Sequence, residues 1–289
     1  MHLFVNDLTV IDFSYLCEKR GIVGESWIVD LVLIGDLDHQ SMVLDFGKVK
    51  KRIKSIIDGS VDHKLAVATN SDTTTITKLD KGTKVEFPFG DNLYTSVYSP
   101  DSAFAMINAE AIDMECVKAF LIEVINPHLP GNVSAIDIKL RAEAINGFYY
   151  HYTHGLKKHD GNCQRIAHGH RSKIQVQQDD MYAPKWQKYW SDRFEDIYIG
   201  SEEDIVSPEQ LDYLTAPDSH PDLIAFKYEA DQGEYELVIS NNVVEVVPCD
   251  STVECLAQYM AEELKAQVPD SSFTITAYEG VGKGAIAFS

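Results

Sequence analysis

The chain has 289 residues, of which 45% are hydrophobic, and a formal net charge of −20. This composition suffices for two domains of ordinary size or for one large domain. The negative charge opposes binding to nucleic-acid backbones and to anionic membrane surfaces, and the sequence contains no basic patch large enough to offset it.

Cysteine usage and the N-terminal segment indicate the compartment. Five cysteines are an odd number, widely spaced and too sparse for a disulfide framework, which favours a reducing environment. The first residues lack a basic start and soon reach Asp7 and Asp12, so we expect no signal peptide. No apolar run reaches the length of a membrane span. We therefore expect a cytoplasmic protein.

Two strands and an amphipathic helix open the chain. Alternating apolar residues predict strands from Leu8 and after Glu25. Basic residues between positions 48 and 54 interleave with apolar residues at helical spacing, which predicts a helix with a solvated basic face. Asp62 and His63 follow this helix, either as a turn or as an acid–imidazole pair.

A helix and a closing strand complete the first half, and the same pair recurs near the end of the chain. Glu115-Cys-Val-Lys-Ala-Phe-Leu resembles Glu254-Cys-Leu-Ala-Gln-Tyr-Met, and both segments have apolar residues at helical spacing. Each helix leads to a predicted strand that ends in a glutamate, Glu143 in the first half and Glu279 in the second.

The upstream strands align with a similar offset of about 140 residues, which indicates a tandem duplication. We predict copies at 1–145 and 146–289, each an α+β unit of antiparallel strands and two helices. The second copy diverges at about 177–230, which we interpret as an insertion. Aromatic residues near Trp186 in this stretch are predicted to form a small local core or an interface.

Histidines of the second copy form the most informative motif. His168 and His170 flank a glycine on a predicted strand, so their side chains point to one face, and His154 comes from the preceding strand. Three neutral imidazoles leave a coordination position open, which suits catalytic zinc. Cys163 would lie near that charge, where its thiolate is favoured. A segment that is merely rich in histidine is the alternative interpretation.

The first copy aligns three other residues with these histidines and cannot form the same metal site: Ser14, Val23 and Glu25. It retains Asp62 and His63 instead, of which Ser219 and His220 are only a weak counterpart in the second copy. The two copies therefore differ in complementary ways.

Taken together, these motifs resemble the family of 6-pyruvoyl-tetrahydropterin synthase and 6-carboxytetrahydropterin synthase, over both halves of the chain. The residues that carry the resemblance are His154, Cys163, His168 and His170; Leu44-Asp45-Phe46-Gly-Lys-Val-Lys; Val61-Asp62-His63; Ser251-Thr252-Val253-Glu254; and the strand-ending Glu143 and Glu279.

The resemblance implies a tandem T-fold (tunnelling fold), in which antiparallel four-stranded sheets with helices on one face close into a barrel on oligomerisation. It also implies a homo-oligomer that binds a small-molecule pterin triphosphate where units meet. Zn²⁺ would be held by His154, His168 and His170, and Cys163 would act as acid and base.

The resemblance assigns His63 and Asp62 to a proton relay. Because the relay lies in the first copy and the metal ligands lie in the second, the site would be composite. The two parts could meet within one chain or between chains. Glu279, or next to it Glu143, would anchor the pterin. Thr252 and Glu254 are further candidates for substrate binding, although with Ser251 they also fit a plain helix-capping arrangement.

The activity implied is that of a zinc-dependent lyase that converts 7,8-dihydroneopterin triphosphate to a 6-substituted tetrahydropterin. We expect 6-carboxy-5,6,7,8-tetrahydropterin, on the route to queuosine. The four residues between Cys163 and His168 are a spacing between those of the two family branches, so a 6-pyruvoyl-forming enzyme is the alternative. A second alternative is a non-catalytic paralogue that binds a pterin without converting it. Local cations, among Arg165, Arg171 and Lys173, would have to offset the acidic charge near a triphosphate.

Overall fold

The structure is a computed structural model that describes all 289 residues, apart from the side chains of two residues in the predicted basic helix, Lys48 and Val49. The first half contains helices and strands in the order β1 (His2–Cys17), β2 (Gly21–Gly35), α1 (Phe46–Ser60), β3 (Leu65–Ala68), β4 (Thr75–Leu79), β5 (Gly82–Phe89), β6 (Leu93–Ser99), β7 (Phe104–Ile107), α2 (Met114–Ile125) and β8 (Val133–Ala142).

The second half repeats this order with two additional strands. Its elements are β9 (Tyr149–His154), β10 (His168–Gln178), β11 (Met181–Tyr182), α3 (Pro184–Arg193), β12 (Ile197–Ser201), β13 (Ile205–Val206), β14 (Leu223–Ala230), β15 (Gly233–Ser240), β16 (Val244–Val247), α4 (Val253–Gln267), β17 (Phe273–Tyr278) and β18 (Gly284–Phe288). The additional strands are β11 and β18.

Each half has a mainly antiparallel sheet built on a long hairpin. The strand order is β7-β3-β1-β2-β8 in the first half and β16-β12-β9-β10-β17-β18 in the second, where β11 also pairs with β10. Both sheets are wider than the predicted four strands because short strands add in parallel beside β1 and β9. The prediction of an α+β fold with antiparallel sheets is confirmed.

The helices cover one face of each sheet, as their apolar spacing predicts. Residues Ile53 and Ile57 of α1 and Leu121 of α2 are buried in the core of the first half. In the second half, α4 buries Met260 against the same core as the indole of Trp190 on α3. The aromatic residues of α3 thus belong to a local core.

A third sheet joins the two halves, and the sequence did not predict it. Its order is β13-β14-β15-β6-β5-β4, and the pairing of β6 with β15 crosses from one half to the other. The stretch 177–230 contains β11, α3, β12, β13 and β14, while the first half has α1, β3, β4 and β5 at the corresponding place. This stretch is therefore the diverged counterpart of elements that both halves possess.

The hairpins β1–β2 and β9–β10 pack against each other where two glycines meet. A Cβ added to Gly24 would lie 1.8 Å from the Tyr152 carbonyl oxygen, and one added to Gly169 would lie 2.6 Å from the Cα of Gly24. Any side chain here would force the backbones apart. The close approach brings residues of β1 next to the histidines of β10.

Candidate metal centre and proton relay

Three buried imidazoles converge on the hairpin β9–β10. The strand register places His154 opposite His168, and His170 lies two residues further along the same face. All three side chains are fully buried. One ligand atom from each lies within 4.8 Å of those of the other two, a spacing that suits a single metal ion.

Hydrogen bonds fix the tautomers of two of these rings. The Nδ1 of His154 lies 2.9 Å from the Ser251 carbonyl oxygen, and the Nδ1 of His168 lies 2.9 Å from that of Arg165. A carbonyl oxygen only accepts, so each Nδ1 carries the proton and each Nε2 presents a lone pair. Both Nε2 atoms are buried with no hydrogen-bond partner among the described residues. Such orphaned acceptors fit a bound cation.

The protonation of these rings agrees with ligation. Burial lowers the pKa of His154 and the pKa of His168 well below the ordinary value, and neighbouring imidazoles lower them further. Both rings are therefore neutral at physiological pH, which is the form that binds metals.

The third ring, His170, is held from the other half of the chain. Its Nδ1 lies 3.2 Å from Oδ1 of Asp12 on β1, and its Nε2 lies 3.7 Å from Oε1 of Glu279. Burial of the Asp12 carboxyl opposes ionisation, but His170, Lys283 and the Ser26 hydroxyl outweigh it and hold the pKa of Asp12 well below its usual range. A permanent carboxylate therefore faces the imidazole.

The predicted acid–imidazole pair lies beside the histidine cluster within the same chain. His63 Nδ1 is 2.7 Å from Asp62 Oδ2. The ring centroids of His63 and His168 are 5.2 Å apart, and ligand atoms of His63, Cys163 and His168 all lie within 4.8 Å of one another. Residues of both halves thus form one composite cluster.

His63 holds its proton strongly. Burial alone would lower its pKa, but the hydrogen bonds to Asp62 and Cys163 prevail and raise the pKa of His63 to about 10. The arrangement Asp62–His63–Cys163 can hold a proton on the imidazole and exchange it with a sulfur atom.

The four residues predicted to bind substrate lie in four different surroundings. Glu279 lies at the cluster, 3.7 Å from Lys283 Nζ as well as from His170. Glu143 instead pairs with Lys173 at 2.7 Å. Thr252 is the N-cap of α4, and its side chain accepts a hydrogen bond from the backbone of Cys255. Glu254 is exposed on the first turn of that helix.

Strand pairing corrects one position in the alignment of the two copies. Ser14 pairs with Gly24 as Thr153 pairs with Gly169, so Tyr15 rather than Ser14 takes the place of His154. Val23 and Glu25 take the places of the two β10 histidines, as the sequence alignment predicted. The first copy therefore offers no imidazole at any of the three places.

The counterpart of the acid–imidazole pair also differs from the weak match at Ser219 and His220. His63 precedes β3, and Asp196 precedes the equivalent β12, and both have left-handed backbones with φ of 53° and 54°. Asp196 binds the Arg20 guanidinium at 2.7 Å and 2.5 Å. The ion pair between Arg20 and Asp196 therefore lies at the position in the second half that the acid–imidazole pair occupies in the first half.

Sequence reasoning missed three residues of the site: Asp12, Ser251 and Lys283. A charged residue inside the apolar run of β1 was the available signal for Asp12, because a buried carboxylate needs partners. Ser251 orients His154 through its carbonyl oxygen and also lies 3.1 Å away through its hydroxyl. Nothing in the sequence pattern indicated the position of Lys283.

The site thus combines an imidazole cluster from one α+β unit with an acid–imidazole pair from the other. Residues 17–144 match the family model described as 6-pyruvoyl tetrahydropterin synthase, which confirms the resemblance for that segment. The matched segment is the half that lacks the three histidines.

Solved structures that are similar to this chain carry the same description. The Plasmodium vivax enzyme is 17% identical, with 50% of this chain and 93% of that chain covered and a TM-score of 0.41. A catalytic-residue mutant of it is 19% identical, with coverage of 49% and 90% and a TM-score of 0.40. The Plasmodium falciparum enzyme is 15% identical, with coverage of 48% and 90% and a TM-score of 0.40. A comparison with curated proteins gave no match.

Among the described residues, no helix is both long and apolar enough to cross a membrane.

Proposed function

We propose that this protein is a zinc-dependent tetrahydropterin synthase that converts 7,8-dihydroneopterin triphosphate to 6-carboxy-5,6,7,8-tetrahydropterin, on the route to queuosine. The observation that carries the proposal is the meeting of two incomplete halves. Buried imidazoles with unpaired Nε2 atoms come from the second half, and the acid–imidazole pair comes from the first. Neither half contains both parts.

The metal ligands in this proposal are His154, His168 and His170. When bound, zinc would supply Lewis-acid polarisation of the substrate's side-chain oxygen atoms. The Ser251 and Arg165 carbonyl oxygens hold the rings of His154 and His168 in one orientation, so these rings need not rotate when the metal binds. Full burial of the three rings excludes bulk water from their nitrogens.

Proton transfer is assigned to Cys163, His63 and Asp62. The Cys163 sulfur would take a proton from a substrate carbon or return it. His63, protonated at neutral pH, would stabilise the thiolate through Nε2, because its Nδ1 donates to Asp62. Asp62 balances the charge of the imidazolium and keeps the ring in one orientation.

Substrate anchoring is assigned first to Glu279. A carboxylate can accept two parallel N–H bonds from the edge of a pterin ring, and Glu279 stands beside the metal ligands. Glu143 is ion-paired with Lys173, and the Thr252 side chain caps α4. Glu143 and Thr252 are therefore weaker candidates for substrate binding. Glu254 is exposed and stays a candidate for contact with a ring that approaches from the surface.

Formation of the 6-pyruvoyl product is the second candidate function. The description of the matching family supports it, and the spacing from Cys163 to His168 does not separate the two branches. Product analysis by chromatography after incubation with 7,8-dihydroneopterin triphosphate distinguishes the carboxy from the pyruvoyl compound.

Activity and metal content of the purified protein test the proposal. We expect about one zinc ion per chain, and turnover that falls by a factor of about 10² or more in both Cys163→Ala and His63→Ala, as loss of a general acid or base requires. Cys17→Ala and His128→Ala are matched controls, since neither residue belongs to the cluster, and both should keep full turnover. Pterin binding without turnover by the unaltered protein would instead identify a non-catalytic paralogue.

Cytoplasmic location and homo-oligomeric assembly remain predictions. The histidine cluster and the relay meet inside one chain, so an oligomer is not required to bring these two parts together. An oligomer would still be required if the pterin ring binds between chains.

A further inference from the structure

We infer that Asp12 is the positioning residue that holds the two parts of the site in register. Its side chain orients the metal ligand His170, and its backbone anchors the Asp62–His63 pair. The inference rests on the metal centre proposed above and adds a role for a residue of the half that provides no metal ligand.

The carboxylate of Asp12 is built into the site. It is only 3% exposed. Oδ1 lies 3.2 Å from His170 Nδ1 and accepts a hydrogen bond of 2.5 Å from the Ser26 hydroxyl, while Oδ2 lies 3.3 Å from Lys283 Nζ. Both oxygens therefore have partners, and one of the partners is a candidate ligand.

Of the three histidines, only His170 has its Nδ1 beside a described residue of the first half. His154 and His168 donate their Nδ1 protons to carbonyl oxygens of the second half. The Nδ1 of His170 makes no aligned hydrogen bond among the described residues, and the carboxylate of Asp12, 3.2 Å away, is the ionised group beside it. A carboxylate this close to Nδ1 favours the tautomer that leaves Nε2 free and makes that nitrogen a stronger donor to a metal.

The backbone of the same residue holds the relay. The amide N–H of Asp12 donates to Asp62 Oδ1 at 2.8 Å, and the amide N–H of His63 donates to the Asp12 carbonyl at 2.7 Å. His63 has a φ of 53°, a conformation that non-glycine residues adopt at a cost unless their surroundings enforce it. These two bonds enforce it here.

One residue thus connects both parts of the composite cluster. In the register that aligns Ser14 with Thr153, Asp12 corresponds to His151 of the second half. His151 Nδ1 lies 3.8 Å from Glu25 Oε2, so the acid and the imidazole exchange places between the two halves. Only the pair formed by Asp12 and His170 includes a candidate metal ligand.

The substitution Asp12→Asn tests the inference, because it keeps the backbone bonds and the size of the side chain but removes the negative charge. We expect the dissociation constant for zinc, measured by competition with a chromophoric chelator, to rise by a factor of about 10 to 100. The visible spectrum of the cobalt-substituted protein should shift as well, because a ligand's donor strength has changed. A purely structural role would move neither readout once the variant is shown to be folded.

Asp30→Asn is the matched control, since Asp30 is a carboxylate of β2 that binds Arg141 and the backbone of Asp7. It should leave zinc affinity unchanged. If Asp12→Asn does not fold, Ser26→Ala removes one hydrogen bond from the same carboxylate and should weaken zinc binding by a smaller factor.

The outcomes separate this inference from the proposal on which it rests. Failure of the unaltered protein to bind zinc would overturn the proposed function. Zinc binding that is equally tight in the unaltered protein and in a folded Asp12→Asn variant, or in Ser26→Ala where that variant replaces it, would overturn the role of Asp12 alone.

Discussion

Glu25 is a buried acid next to the site that takes no part in the proposed chemistry. It is 8% exposed, and its Oε2 lies 3.8 Å from His151 Nδ1, which itself binds the Gly24 carbonyl oxygen at 2.8 Å. Burial raises the pKa of Glu25 to about 7, in spite of the Ser26 amide and the guanidinium of Arg171. The carboxyl is therefore half ionised near neutral pH.

This raised pKa predicts how stability depends on pH. The ordinary pKa of a glutamate, 4.5, applies to the unfolded chain, so the folded state binds more protons between pH 4.5 and about 7. The stabilising effect of the proton is complete below pH 4.5 and is lost as pH rises through 7. Glu25→Gln should therefore be more stable than the unaltered protein at pH 8.5, by up to roughly 3 kcal/mol.

Urea unfolding at two pH values checks this expectation. At pH 4.5 the carboxyl is protonated in the folded protein, so the gain at pH 8.5 should shrink to near zero. Asp30→Asn again serves as a control for the loss of a carboxylate, because the pKa of Asp30 is lowered and its ionised form is the favoured one. An equal effect of Glu25→Gln at both pH values would contradict the assignment.

The convergence of the three histidines could be predicted from the sequence, whereas the residues that support them could not. Strand alternation alone places His168 and His170 on one face. Ser251 contacts His154 across 97 residues of sequence, and such a contact depends on how the α4 loop returns to the sheet. Asp12 reaches His170 only because two hairpins cross at glycines, which no local pattern encodes.

At the level of elements, Thr252 at the start of α4 caps the helix, and this structural role is an alternative to its predicted role in substrate binding. Thr252 adopts an extended backbone, and its hydroxyl accepts from the Cys255 N–H, as an N-cap does. The preceding residue orients His154. The cap therefore stabilises both the helix and the loop that supports His154, a candidate metal ligand.

Replacement of the cap separates the two roles. Thr252→Ala should lower the free energy of unfolding by about 1 kcal/mol, because the Cys255 amide loses its acceptor, with little change in KM for the proposed pterin substrate. Glu254→Gln provides the comparison, since its side chain is exposed on the same turn and should leave stability unchanged. Chemical denaturation and steady-state kinetics measure the two effects. A large rise in KM with unaltered stability in Thr252→Ala would restore the predicted role in substrate binding.

Periodicity predicted α1, α2, α4 and the strands of the long hairpins because their burial patterns repeat along one segment, whereas α3 was not predicted as a helix. Buried positions of α2 such as Val117 and Leu121 recur at helical spacing. The third sheet escaped prediction because its central pairing, β6 with β15, joins strands that are far apart in the sequence. The strands β13 and β16 are too short for alternation to show.

For the molecule as a whole, the composite cluster lies within a single chain. His63 of the first half stands beside Cys163 of the second, and the β6–β15 pairing together with the Arg20–Asp196 ion pair hold the halves together. Contacts between separate chains are not needed to assemble the relay.

This arrangement predicts the result of mixing inactive variants. Chains that carry Cys163→Ala and chains that carry His63→Ala, co-expressed with different tags and purified together, should show no more turnover than either variant alone. Neither kind of chain contains both residues. Recovery of a substantial fraction of normal turnover would show that the relay of one chain serves the metal centre of another.

The contact between Gly24 and Gly169 sets a limit on how the two repeats can diverge. The two halves differ in their histidines, loops and charges, yet at this crossing even a methyl group would collide with the opposite backbone. A side chain at either glycine would push the two hairpins apart and separate Asp12 from His170, so neither position can change without a compensating shift in the other half.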